Sequence, residues 1–120
     1  MRIGQIAITV ADVEKALAFY RDVLGLEFLF APTPELAFLR AGETRVMLAT
    51  PQGAGAVGAN SILYFAVEDI ERAYERFVSL GAAGERAPAL TAKMPDHELW
   101  IGFLRDPDGN IVGVMEEKRD

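Results

Sequence analysis

The single histidine, His97, stands between two carboxylates in the segment Met94-Pro95-Asp96-His97-Glu98-Leu99-Trp100. An imidazole beside an acid is equipped for general acid–base work or for metal ligation. The same residues also suit a charged surface turn between a loop and a strand. Neighbouring side chains alternate along an extended chain, so Asp96, His97 and Glu98 cannot all face one site. A second carboxylate pair lies in Asp106-Pro107-Asp108-Gly109, where proline and glycine set turn geometry and a turn is the expected role. The chain has no cysteine, which excludes disulfides, thiolate zinc sites and cysteine nucleophiles. No Gly-x-Ser-x-Gly elbow occurs. The stretch from Pro51 to Gly58 is glycine-rich but lacks the Gly-Lys-Ser/Thr of a phosphate loop, and is expected to be a flexible linker.

These residues sit in a chain of 120 amino acids, a length suited to one domain that buries its own core. The net charge of −6 argues against nucleic acid as a partner, since that role needs a basic footprint. No apolar run has the length of a membrane span, and Met1 to Gln5 lead directly into a strand pattern without the features of a signal peptide. A cytoplasmic protein with no membrane partner is the expectation.

The elements follow from periodicity. Gln5 to Val10 alternates, with Ile6, Ile8 and Val10 on one face and Gln5, Ala7 and Thr9 on the other. Asp12 is placed to cap a helix carrying Val13, Ala16, Leu17, Phe19, Tyr20, Val23 and Leu24, and Gly25 ends it. Strands are expected at 26–30, 36–40 and 44–49, separated by turns. The pattern then restarts. A strand at 62–67 precedes Asp69 as a cap, a helical stripe of Ile70, Ala73, Tyr74, Phe77 and Leu80, and Gly81. A short strand near 82–86, strands at 98–105 and 111–115, and a charged tail from Glu116 complete the chain.

The restart is a repeat. Val10-Ala11-Asp12-Val13-Glu14-Lys15-Ala16 matches Val67-Glu68-Asp69-Ile70-Glu71-Arg72-Ala73, and Leu24-Gly25 recurs as Leu80-Gly81. Phe38-Leu39-Arg40 recurs as Phe103-Leu104-Arg105, each ahead of a turn and a final strand. Two amphipathic units in tandem give an α+β fold of two βαβββ modules: one at about 1–50, a linker at about 51–59, and a second at about 60–120. Helices on the outside of a cupped mixed sheet leave the opposite sheet faces free to form a cavity.

The residues that carry the repeat also resemble a known family. Val-x-Asp-x-Glu-x-Ala followed by Phe19-Tyr20-Arg21-Asp22-Val23-Leu24-Gly25-Leu26 resembles the opening of vicinal oxygen chelate proteins. Phe103-Leu104-Arg105-Asp106-Pro107-Asp108-Gly109-Asn110 resembles their closing signature. The resemblance spans the chain and implies the glyoxalase-like fold. It leaves function open, because the superfamily includes glyoxalase I, epimerases, extradiol dioxygenases, fosfomycin-modifying enzymes and proteins that sequester bleomycin. Its enzymes hold a divalent metal with donors from the first and last strand of each module. Transferred position by position, those donors fall on Gln5, at or next to Leu48, on Ile62 and on Gly113. One of the four keeps a side-chain donor, which is too few for a catalytic metal, so no metal and no other cofactor is expected.

The resemblance therefore implies a small organic ligand in an apolar cavity between the modules. Its expected lining is Gln5, Ala7, Leu48, Ile62, Tyr64, Trp100, Gly113 and Met115, with Tyr64 and Trp100 as an aromatic wall. Filled core is the alternative role for the two aromatics. The alternative function is a lyase, isomerase or oxidoreductase with a relocated metal site or a metal-independent mechanism through His97. Family members are often homodimers, and a homodimer is expected here.

Overall fold

The computed structural model describes every residue except Gln52 and Ala54. The chain divides into two compact units, Met1–Asn60 and Ser61–Asp120. The expected linker at 51–59 includes Gln52 and Ala54, which lie outside the described residues. The other residues of that stretch form no helix or strand.

The first unit runs β1 (Gln5–Thr9), α1 (Val13–Leu17), a π-helical segment (Ala18–Val23), β2 (Glu27–Thr33), β3 (Leu36–Ala41) and β4 (Thr44–Ala49). Its mixed sheet has the order β1-β4-β3-β2, with β1 and β4 parallel and the other pairs antiparallel. Asp12 caps α1 as expected, its Oδ1 accepting from the Lys15 amide at 3.2 Å. The single α-helix expected up to Gly25 is corrected, because α1 widens into π geometry after Leu17. The Leu24 amide reaches back five residues to the Phe19 carbonyl at 2.9 Å. The wider turn lets the neighbouring rings of Phe19 and Tyr20 both enter the core, edge to face at 4.9 Å. Gly25, with φ of +84°, then reverses the chain.

The second unit repeats the plan: β5 (Leu63–Ala66), α2 (Ile70–Ser79), β6 (Ala83–Lys93), β7 (Glu98–Arg105) and β8 (Ile111–Lys118). Its sheet order is β5-β8-β7-β6, again with one parallel pair. The fold is thus α+β, two tandem βαβββ modules, each with its own four-stranded mixed sheet. Two expectations are corrected. The strand near 82–86 is eleven residues long, because its bulged register keeps it paired with β7 as far as Lys93. The charged tail is mostly strand, because Glu116, Glu117 and Lys118 pair with Trp100, Leu99 and Glu98.

The cap expected at Asp69 is also corrected. The Asp69 backbone is left-handed, at φ of 49°, and its side chain caps nothing. Glu116 on β8 takes the role instead, accepting from the Asp69 amide at 3.3 Å and the Ile70 amide at 3.0 Å. A carboxylate at a helix N-terminus satisfies free amides and meets the positive end of the helix dipole.

Each core lies between one face of a sheet and its helix. In the first unit Ile8, Val46, Leu48, Ala37 and Leu39 share that covered face with Val13, Leu17 and Tyr20. In the second, Val112, Val114 and Leu104 meet Ile70, Ala73 and Phe77. Each fully buried side chain of this size contributes about 1.5–3 kcal/mol. The opposite face of each sheet carries no helix of its own unit.

Candidate functional site: the open sheet faces

Strand pairing assigns each side chain to a face. In the first unit Gln5, Arg45, Arg40 and Glu27 are partners in successive pairs and make one row across all four strands. The next row is Ala7, Met47, Phe38 and Phe30. The polar row is internally bonded. Arg45 Nε donates to Gln5 Oε1 at 2.6 Å, and Arg40 donates to Glu27 at 2.5 Å. Gln5 Nε2 points at the Met47 sulfur, 3.8 Å away. The Arg45 guanidinium lies 5.1 Å from the centre of the Phe38 ring, which stacks against Phe30 at 5.0 Å.

In the second unit the corresponding open face is aromatic. Tyr64, Gly113, Phe103 and Arg86 form one row, and Ala66, Met115, Ile101 and Ala89 the next. Tyr64 meets Phe103 edge to face at 5.9 Å, and Arg86 lies 4.8 Å over the Phe103 ring. The Tyr64 ring also covers Gly113. A Cβ at position 113 would stand 2.5 Å from Tyr64 Cδ1 and 2.8 Å from Cε1, distances that real side chains do not adopt. Arg105 borders this face and is sealed. Its Nε and one terminal nitrogen fork onto Glu85 at 3.1 Å each, and the other terminal nitrogen donates to the Gly109 carbonyl at 2.7 Å. That fork holds the Glu85 carboxyl below its ordinary range.

The expected site residues therefore divide. Gln5 and Ala7 lie on the open face of the first unit. Tyr64, Gly113 and Met115 share the open face of the second. Ile62 precedes β5 and is 45% exposed. Leu48 pairs with Ile8 and Ala37 and is 0% exposed on the covered face. The neighbouring residue, Met47, holds the open-face position. Trp100 is likewise on the covered face. It pairs with Glu116, its Nε1 donates to Glu98 at 3.2 Å, and Lys118 Nζ stands 4.4 Å over its ring. Lys118 in turn bridges to Glu71 on α2, which lowers the Glu71 carboxyl and raises the lysine. Trp100 thus packs among the groups that fasten α2 and is not a wall beside Tyr64.

Sequence reasoning missed Arg45, Phe38, Met47 and Phe103. The signal was present for the first three. A two-residue hairpin at Gly42-Glu43 sets Arg40 opposite Arg45 and Phe38 opposite Met47.

His97 lies at the far end of the β7–β8 pair and is 12% exposed. Its Nδ1 is 2.8 Å from Asp96 Oδ1, and its Nε2 is 3.6 Å from Glu117 Oε2. Arg119 joins both carboxylates, to Asp96 at 2.6 Å and Glu117 at 2.8 Å. The hydrogen bond from His97, reinforced by Arg119, holds the Asp96 carboxyl below its ordinary range. Glu98 faces the other way, towards Trp100. Among the described residues, no three or more His, Asp, Glu or Cys side chains are grouped to hold a metal ion. The Asp106 carboxylate serves the turn itself, accepting from the amides of Asp108 and Asn110 and from the Asn110 side chain at 2.8–2.9 Å. Among the described residues, no helix is long and apolar enough to cross a membrane.

Comparison with known proteins agrees with this architecture. A solved lactoylglutathione lyase from Agrobacterium tumefaciens superposes with a TM-score of 0.80 at 29% identity, over 96% of this chain and 92% of that one. The Bacillus subtilis protein YraH is 27% identical, covering 97% of this chain and 98% of its own. A mouse mitochondrial methylmalonyl-CoA epimerase is 40% identical over 57 residues, which is 43% of this chain and 32% of the epimerase. The family model for the glyoxalase/bleomycin resistance protein/dioxygenase superfamily matches residues 2–114, and the chain belongs to that superfamily.

Proposed function

We propose that this protein binds a small organic molecule on the open faces of its sheets and does so without the divalent metal of its enzymatic relatives. The observation that carries this reading is the Tyr64 ring over Gly113. At the position where the family places its last donor, there is no side chain, and an aromatic ring fills the space one would need. The other positions point the same way. Gln5 offers an amide oxygen already accepting from Arg45. Met47 offers a thioether and Ile62 a hydrocarbon. Such a set does not fit a hard divalent cation, which requires several oxygen or imidazole donors. What remains is an aromatic and thioether surface with a few fixed polar groups, the usual make-up of a small-molecule site.

A lyase, isomerase or oxidoreductase acting through His97 has less support, because both ring nitrogens already face carboxylates. A homodimer belongs to the proposal as well. β2 and β6 stand at the edges of their own sheets, and unpaired edges favour pairing between chains. Light scattering is expected to give twice the 13.1 kDa chain mass.

The test is elemental analysis of protein purified without chelator, together with amide chemical shifts during titration with aromatic probes. Substoichiometric metal and shifts confined to Gln5, Met47, Tyr64, Gly113 and Met115 are expected. Stoichiometric, tightly held metal refutes the proposal. Shifts centred on His97 would transfer support to the enzymatic alternative.

A further inference from the structure

The tandem repeat supplies an internal control for the polar row. Arg40 and Arg105 occupy equivalent places, two residues after Phe38 and Phe103. In the second unit Arg105 pairs across the hairpin with Ile111, a neutral residue, and is sealed by Glu85 and the Gly109 carbonyl. In the first unit Arg40 pairs across the hairpin with a second arginine, Arg45. Like charges directly opposite on one sheet face oppose folding. Only Arg40 has a carboxylate, Glu27. Arg45 forms no ion pair among the described residues. Its Nε is fixed by the Gln5 side chain and its guanidinium carbon lies 5.1 Å from the Phe38 ring centre, with no ion pair to its two terminal amino groups among the described residues.

The setting is a recess of about 570 Å³ lined by Arg2, Gln5, Leu29, Arg40, Glu43 and Arg45. Arg2 is tied to the Glu43 backbone carbonyl at 3.3 Å. Three of the five basic residues in the first unit line this one recess, in a chain whose net charge is −6. Beside it along the strands is the apolar row of Ala7, Met47, Phe38 and Phe30. A clamped guanidinium with a free pair of donors matches the two oxygens of a carboxylate.

We propose that the ligand is an organic carboxylate, its head held by Arg45 and Arg40 and its apolar body laid on Met47, Phe38 and Phe30. This rests on the small-molecule reading above and names the class of molecule it requires. The unfavourable Arg40–Arg45 pairing is the mark of such a site, since a bound anion removes the repulsion.

The experiment compares naphthalene-2-carboxylate with its neutral amide by calorimetric titration, on the full chain and on Arg45→Gln. The carboxylate is expected to bind about ten-fold or more tightly than the amide, the scale of a charged hydrogen-bonded contact. Arg45→Gln is expected to erase that preference. Thermal melts of the parent and the variant run alongside, and a folded variant shows that lost binding does not reflect lost folding. Equal affinity for the two compounds in the parent, or an undiminished preference in Arg45→Gln, overturns the carboxylate assignment and leaves the small-molecule reading standing. Binding of neither compound overturns both.

Discussion

Gly113→Ala is the smallest change that probes the space beneath Tyr64. The added Cβ would lie 2.5 Å from Tyr64 Cδ1, 2.8 Å from Cε1 and 3.0 Å from Cγ. Contact with Cγ matters most, because the base of the ring moves only if χ1 changes or the strand shifts. Overpacking in a rigid core costs about 1–3 kcal/mol. Tyr64 is 46% exposed, so its ring can swing outwards, and the lower end applies. The departing ring also gives up its edge-to-face contact with Phe103, worth about 0.5–1.5 kcal/mol. Together these give a destabilisation of about 1.5 kcal/mol, a fall of roughly 5 °C in Tm for a chain of this length. The assay is urea unfolding of Gly113→Ala, Tyr64→Ala and the double variant. With the ring removed the methyl meets open space, so the double variant should be more stable than the sum of the single costs predicts, by about 1 kcal/mol. Additive costs, or an unperturbed Gly113→Ala, would show that the ring does not hold the space, and the argument against a donor at position 113 would fail with it.

Three further outcomes follow from the two helix caps and the His97 cluster. Glu116→Ala removes the acceptor for the Asp69 and Ile70 amides and is expected to cost about 1–2 kcal/mol in urea unfolding, whereas Asp69→Asn, which tolerates the left-handed backbone and leaves Glu116 in place, is expected to cost a few tenths at most. Asp12→Ala removes a true side-chain cap and is expected to cost about 1 kcal/mol, measured in the same way. The Asp96 carboxyl is depressed in the folded state by His97 and then Arg119, so its contribution is full above the ordinary value of 3.8 and is lost as pH falls through the lower folded value. Thermal melts of the parent and Asp96→Asn should accordingly differ at neutral pH and converge in acid.

Much of the fold was legible because its signals are local. Alternation in Gln5 to Val10, the Asp12 cap and the matching Leu-Gly helix ends each depend on residues within a few positions, and they located two modules. The failures share one cause, which is that face and partner are set by register between strands distant in sequence. Leu48 and Met47 are neighbours. Only the parallel pairing of β1 with β4 shows that Leu48 joins Ile8 in the core and Met47 joins Ala7 on the open face. Trp100 was misplaced for the same reason, since its face is fixed by pairing with Glu116. The capping error at Asp69 arose because the true cap comes from Glu116, a residue 47 positions away on another strand. The π-helical turn has no signature beyond adjacent Phe19 and Tyr20, which an α-helix would have turned to different sides.

The two modules have diverged in chemistry more than in structure. At matched places the first carries Gln5 and Arg45 and the second Ile62 and Ile111, while Phe38 and Phe103 are kept in both. The second module ties several of its charges into its own scaffold: Arg105 to Glu85, Lys118 to Glu71, and Glu116 at the start of α2. The first leaves Arg45 without an acid and sets it opposite another arginine. A duplicated fold needs neither difference for stability, and like charges facing each other across β3 and β4 reduce it. The proposed carboxylate ligand would account for that pairing by neutralising it. The copies therefore keep the same phenylalanine and differ in the charges set around it.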